Sequence, residues 1–135
     1  MQILVIDGQG GGLGARLITQ LRALGRTGLD ITAVGTNALA TSAMLKAGAD
    51  DAATGENAVI WNAGQAHIIL GPIGIIVANA MLGEITPAMA AAVSGSPAAK
   101  ILIPSSKCSV QIAGAEGLPL NTCIESAVRM ALEQD

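Results

Sequence analysis

The chain contains no phenylalanine, no tyrosine and a single tryptophan, Trp61. Its core must therefore be filled by Ala, Ile, Leu, Val, Met and Gly, and elements lined by such small residues can approach closely. The missing aromatics also remove the platforms on which single-stranded nucleic acid stacks. Charge is scarce as well: 13% of residues are charged, the net charge is −3 and Lys and Arg form no cluster. The basic footprint of a nucleic-acid binder is thus absent. Cys108 and Cys123 are too few for a disulfide framework, and with His67 as the only histidine no zinc set can be assembled from Cys and His. Both cysteines read as reduced thiols. The start of the chain lacks the basic region of a secretory signal, so the expected location is the cytoplasm. Between Asn57 and Gly83 there is no charged residue. Gly64, Gln65, Gly71, Pro72 and Gly74 interrupt that stretch before the roughly 18 apolar residues of a membrane span can accumulate, and no membrane partner is expected.

What is present is hydrophobic, 51% of the chain, and without linker, repeat or low-complexity tail. Residues 1–135 read as one domain. Ile3 to Ile6 make a short buried strand, followed by the glycine-rich stretch Asp7 to Gly14 and then a helical pattern from Ala15 with Leu17, Ile18, Leu21 and Leu24 on one face. Gly25 and Gly28 close that helix. Ile31 to Val34 form a second strand, and Thr36 or Asn37 caps a helix over 38–47 that ends at Gly48. A strand start near Asp50 to Thr54 and a helix over 56–62 come next, then a strand at His67 to Leu70 and the turn Gly71-Pro72-Ile73-Gly74. Ile75 to Leu82 are expected to be helical. Thr86-Pro87 opens a further helix to about Val93, Lys100 to Pro104 supply another strand, and Cys108 to Ala113 alternate as an edge strand would. Pro119 opens a last helix with Leu120, Ile124, Val128 and Leu132 on one face.

Strands alternating with helices specify an α/β fold, a three-layer Rossmann-like open parallel sheet with helices on both faces and a possible antiparallel edge strand near 108–113. In such sheets ligands sit beyond the carboxyl ends of the strands, where the strand order reverses. The turns Gly8 to Gly14 and Gly71 to Asn79 should flank that crevice.

The order Gly8, three residues, Gly12, one residue, Gly14 is similar to the turn of short-chain dehydrogenases, and Gly10-x-Gly12-x-x-Ala15 satisfies the looser dinucleotide fingerprint. Backbone N–H groups in such a turn converge on an anion at a helix N-terminus. Gly8, Gln9, Gly10, Gly11, Gly12, Leu13 and Gly14 are therefore the expected phosphate cradle, unless the glycines serve only close helix packing. Where a ribose-binding acid is expected after the second strand stand Gly35-Thr36-Asn37, with no acid for NAD and no Arg for NADP. Thr36 and Asn37 could bond a ribose or cap the helix. The Tyr-x-x-x-Lys pair of short-chain dehydrogenases cannot exist without tyrosine, and that chemistry is excluded. Asp7 can hold Mg²⁺ against a ligand or, as is commoner, fix the turn by accepting its N–H groups.

Lys107 beside Cys108 could activate the thiol, although no partner for it is identifiable. His67 reads as structural, and Glu84 is the carboxylate best placed near the crevice. Ile73 to Leu82 is more apolar than a surface loop should be, which points to burial under the chain's own helices or to a homo-oligomer.

The stretches Val-Ile-Asp-Gly-Gln-Gly-Gly-Gly (5–12), Gly-Thr-Asn-Ala-Leu-Ala-Thr-Ser-Ala-Met-Leu-Lys-Ala-Gly-Ala (35–49), Ala-Thr-Gly-Glu-Asn-Ala (53–58) and Gly-Pro-Ile-Gly-Ile-Ile-Val-Ala-Asn (71–79) resemble a family of short uncharacterised bacterial proteins carried as a domain of unknown function. That resemblance implies a Rossmann-like fold and no established reaction. The expected function is binding of a small phosphate-bearing ligand, NAD(P) or another nucleotide. Gly8 to Gly14 form one wall of its site, Gly71, Pro72 and Asn79 the other, and Thr36 and Asn37 lie nearest the ligand. The alternative is a non-catalytic regulatory or assembly module that binds protein through the apolar 73–82 segment. No catalytic residues and no metal ligands are assigned.

Overall fold

The four apolar residues Ile3 to Ile6 are almost wholly removed from solvent, because the strand they form, β1 (Gln2–Asp7), lies at the centre of the sheet. The computed structural model describes residues 1–24, 27–105 and 109–134. In it β1 pairs in parallel with β2 (Asp30–Gly35) on one side and with β4 (Ile68–Pro72) on the other. β3 (Asp51–Thr54) flanks β2 and β5 (Ala99–Ile103) flanks β4, giving the order β3-β2-β1-β4-β5, all parallel.

Alternate residues of a strand face opposite sides, and the core divides accordingly. Ile3, Val5, Ile31, Ala33, Ile68 and Leu70 pack against α1 (Gly12–Ala23), Met44 of α2 (Ala38–Lys46) and the inner face of α5 (Leu120–Leu132). Leu4, Ile6, Val34 and Ile69 pack against α3 (Glu56–Ala63) and α4 (Pro87–Ser94). This is a three-layer α/β fold, assembled without an aromatic core residue. Trp61, on the outside of α3, is 62% exposed.

Local chemistry sets the ends of the elements. Asn37 caps α2 by accepting a hydrogen bond from the Ala40 N–H, and Thr86 caps α4 in the same way through the Met89 N–H. At the opposite end of the sheet, Asp50 accepts from the Ile31 N–H and pairs with Arg22 at 2.8 Å. Gly48, which follows α2, has a left-handed φ of 123°, a conformation that suits glycine. His67 accepts the Gln2 N–H at its Nδ1, which ties the entries of β1 and β4 together.

Two expectations from the sequence are corrected. The helix expected over Ile75 to Leu82 is a single 3₁₀ turn, Ile73–Ile76, followed by irregular turns. Asn79, Met81 and Leu82 have φ of 66°, 59° and 57°, and Gly83 follows at 91°. Tertiary anchoring overrides helical propensity here. Ile75 and Ile85 are both buried, and the Asn79 N–H closes on the Ile85 carbonyl at 2.7 Å, so the intervening chain must double back. The second correction concerns the edge. Cys108 lies outside the described residues, and residues 109–113 form no strand. Ile112 is 42% exposed, and left-handed glycines at 114 and 117 turn the chain away from a straight pairing path. Lys107 and Gly25 also lie outside the described residues. Among the described residues, no helix is long and apolar enough to cross a membrane.

Strand order reverses at β1 and β4, so the carboxyl ends of these two strands form the crevice. Their backbones approach so closely that a Cβ on Gly71 would run into the carbonyl oxygen of Ile6, whereas a Cβ on Gly10 would meet nothing within 4 Å. We expect Gly71→Ala to lower stability by about 1–3 kcal/mol, as overpacking does, and Gly10→Ala to stay within about 0.5 kcal/mol of the parent. Urea denaturation midpoints compare the two.

Candidate functional site

β1 delivers Asp7 to the mouth of the crevice, where the side chain is 5% exposed. One carboxylate oxygen accepts the Gly8 N–H at 2.8 Å and the other accepts the Gly14 N–H at 2.7 Å. The residue at the cap position of α1 is Gly11, which has no side chain to offer. Asp7 thus caps the helix from four residues upstream, and α1 starts at Gly12 rather than at Ala15. Burial pushes the Asp7 carboxyl above its ordinary 3.8; the bonds from Gly14 and Gly8 offset part of this, and the nearby charge of Glu84 adds to the rise.

The glycines of the turn divide into two groups. Cβ atoms on Gly8, Gly11 and Gly14 would lie 2.5 Å from Met81 Sδ, 2.7 Å from the Ala40 backbone and 2.5 Å from Met44 Sδ respectively. These three allow close packing, and Gly11 also takes a left-handed φ of 72°. Gly10 and Gly12 would meet nothing within 4 Å and are exposed.

Glu84 reaches the same turn from the far side of the sequence. Its Oε1 accepts the Gln9 N–H at 2.7 Å and the Thr36 hydroxyl at 3.1 Å, and its Oε2 accepts the Asn37 side-chain amide at 2.9 Å. The same Asn37 nitrogen donates to the Gln9 carbonyl. Partial burial alone would raise the Glu84 carboxyl, but the bonds from Gln9, Asn37 and Thr36 outweigh it and hold the group below its ordinary 4.5.

The amides of the turn can now be assigned. Gly8 and Gly14 donate to Asp7, Gln9 donates to Glu84 and Gly11 donates to the Gly8 carbonyl. The Leu13 amide also points its dipole at Asp7. Among the described residues, the N–H groups of Gly10 and Gly12 have no acceptor within the protein. Of the seven residues expected to form a phosphate cradle, Gly8 to Gly14, two therefore keep unengaged N–H groups.

Both donors belong to residues lining a cavity of about 1190 Å³ on the β4–β5 side of the crevice. Asp7, the turn, Pro72, Ser105 and the 110–118 segment form its walls, with Arg16, Leu120 and Cys123 from α1 and α5. Among the described lining residues Arg16 is the one cation, and Asn121 accepts a hydrogen bond from its guanidinium. Met81, Val110, Ile112 and Leu118 supply apolar surface.

Gly8 to Leu13 and Pro72 are brought to the cavity; Gly14, Thr36, Asn37, Gly71 and Asn79 are not. Gly14 lies on the buried face of α1, Gly71 lies within the sheet, and Asn79 shapes its own turn. Thr36 and Asn37 are committed to Glu84. Sequence reasoning did not single out Arg16, Ser105 or the 110–118 wall. Of these only Arg16 carried a readable signal, as a cation in the first turns of the helix that follows the glycines. Among the described residues, no group of three or more His, Cys, Asp and Glu is placed to hold a metal ion. Both Asp7 oxygens are already engaged by amides, which is its turn-fixing use.

A family model described as a domain of unknown function, DUF3842, matches residues 2–135. The chain belongs to that family. Among curated proteins nothing matches this DUF3842 chain. Among solved structures, a dodecameric FMN-dependent UbiX-like decarboxylase from Escherichia coli O157:H7 is similar, with a TM-score of 0.53 and 15% identity over 99% of this chain and 93% of the other. At that identity the likeness is one of fold.

The two carboxylates should impose opposite pH dependences. Glu84, held below 4.5 in the folded chain, contributes stability that is present above 4.5 and lost as pH falls through its folded value. Asp7, held above 3.8, favours the fold most when protonated, and that contribution declines as pH rises through its folded value. Glu84→Gln should therefore have a lower urea midpoint than the parent at neutral pH, with the gap closing below pH 4.5.

Proposed function

We propose that this protein binds a nucleotide by its phosphate at the amino end of α1. The observation that carries the reading is the pair of unengaged N–H groups, Gly10 and Gly12, on the wall of a cavity that Arg16 also lines. Backbone donors at a helix N-terminus, with the helix dipole behind them, favour an anion, and Arg adds a fork of donors suited to phosphate. The apolar wall of Met81, Val110, Ile112 and Leu118 offers a surface for a base or another flat ring. The FMN dependence in the printed description of the decarboxylase with this fold supports the same ligand class. The reading is one of binding, with no reaction assigned.

A thermal-shift screen with FMN, AMP, ATP and NAD⁺ tests it. Binding to the folded state alone stabilises by about 2.7 kcal/mol at a hundredfold excess over Kd. We expect at least one of these ligands to raise Tm, and Gly12→Val to abolish the rise while leaving the fold intact, since a Cβ at Gly12 has open space. A panel without any shift would overturn the reading.

A second observation favours self-association. Ile73 and Ile75 are buried in the chain's own core, but Leu82, at the end of the same apolar segment, is 97% exposed. We propose that Leu82 contacts another copy of the chain, in line with the dodecameric assembly printed for the decarboxylase. Multi-angle light scattering should find an oligomer for the parent and a smaller species for Leu82→Glu. A monomeric parent at micromolar concentration would remove this interface.

A further inference from the structure

In a parallel sheet whose order reverses at β1 and β4, a ligand with two nucleotide halves lies across the switch point. One half rests over the end of β2 and the other over β4 and β5. The two sides of this crevice are not equivalent. The β4–β5 side holds the cavity of about 1190 Å³, slightly more than the upper end of ordinary small-molecule sites. The β2 side is filled by the chain itself.

The filling comes from the turn that follows the 3₁₀ segment. Glu84 lies over Gly35-Thr36-Asn37 and takes the three donors available there, the Gln9 N–H, the Thr36 hydroxyl and the Asn37 side-chain amide. Met81 presses on Gly8, so closely that a Cβ there would fall 2.5 Å from its sulfur. In dinucleotide-binding sheets, an acid at this position holds the hydroxyls of the second ribose. Here an acid is present, but it is supplied from 48 residues beyond Thr36, and it faces inward onto the protein's own donors. None of Thr36, Asn37 and Glu84 lines the cavity.

We infer that Glu84, with Met81, determines specificity by occupying the β2 half of the crevice, so that the site accepts a nucleotide with one phosphate and one ring system and excludes dinucleotides. This deepens the nucleotide reading and rests on it. The negative charge of Glu84 adds repulsion against the second phosphate of a dinucleotide or the 2′-phosphate of NADP.

Calorimetric titration of the full chain with FMN and AMP, and separately with FAD and NAD⁺, tests the inference. The better mononucleotide should bind at least about tenfold more tightly than either dinucleotide. Glu84→Ala should narrow that ratio by raising dinucleotide affinity, with mononucleotide affinity nearly unchanged; Met81→Ala, whose side chain also forms part of the apolar wall, should narrow the ratio whatever its effect on each affinity alone. Met81→Ala keeps all three Glu84 hydrogen bonds, so it carries the test if circular dichroism shows Glu84→Ala to be unfolded. Dinucleotides binding the parent as tightly as mononucleotides would overturn the inference and leave the nucleotide reading standing. So would unchanged ratios in folded variants. If no probe binds, the nucleotide reading falls and the inference falls with it.

Discussion

The site depends on one buried carboxylate. Asp7 bridges the first and last amides of the glycine turn, Gly8 and Gly14, and in doing so fixes both the exit of β1 and the start of α1. An unpaired buried amide costs about 1–3 kcal/mol, so this bridge stabilises a turn whose cap residue, Gly11, has no side chain. It has a second effect. A carboxylate that satisfies the helix N-terminus from inside takes up donors of the turn, and the N–H groups left open toward the cavity are those that Asp7 and Glu84 do not engage.

The two carboxylates divide the turn between them. Asp7 lies beneath it and Glu84 lies beside it, and the charge of Glu84 raises the cost of ionising Asp7. What remains open is the side toward β4 and β5, where Arg16 is positioned by Asn121 of α5. The last helix therefore takes part in shaping the crevice while its inner residues Ile124 and Val128 fill the core.

Most of the architecture was legible because four of the five strands carry short apolar runs, β3 being the exception, and most helices carry their own stop or start signal. Asn37, Thr86-Pro87 and Gly48 are local devices, and local devices can be read locally. The segment after β4 could not be read this way. Its apolar residues suit a helix, and Asn79, Met81 and Leu82 take left-handed turns because Ile85 is anchored in the core and Glu84 is held by Gln9, Thr36 and Asn37, far away in sequence. The candidate site was legible to the same extent. The glycines mark the crevice, but which amides are already satisfied depends on residues 7 and 84 meeting in space. Thr36 and Asn37 illustrate the limit: their position after β2 was read correctly, and the partner that claims them lies 48 and 47 residues away.

The bond between the Gln9 amide and Glu84 spans 75 residues, and this separation constrains the order of assembly. A chain emerging from its amino end exposes the glycine turn well before residue 84 exists, and β1 must wait for β4 to cover its second edge. Closing so long a loop before its contacts are gained is characteristic of slower-folding topologies. The turn that looks most autonomous in the sequence thus completes its hydrogen bonds only once residue 84 has joined it.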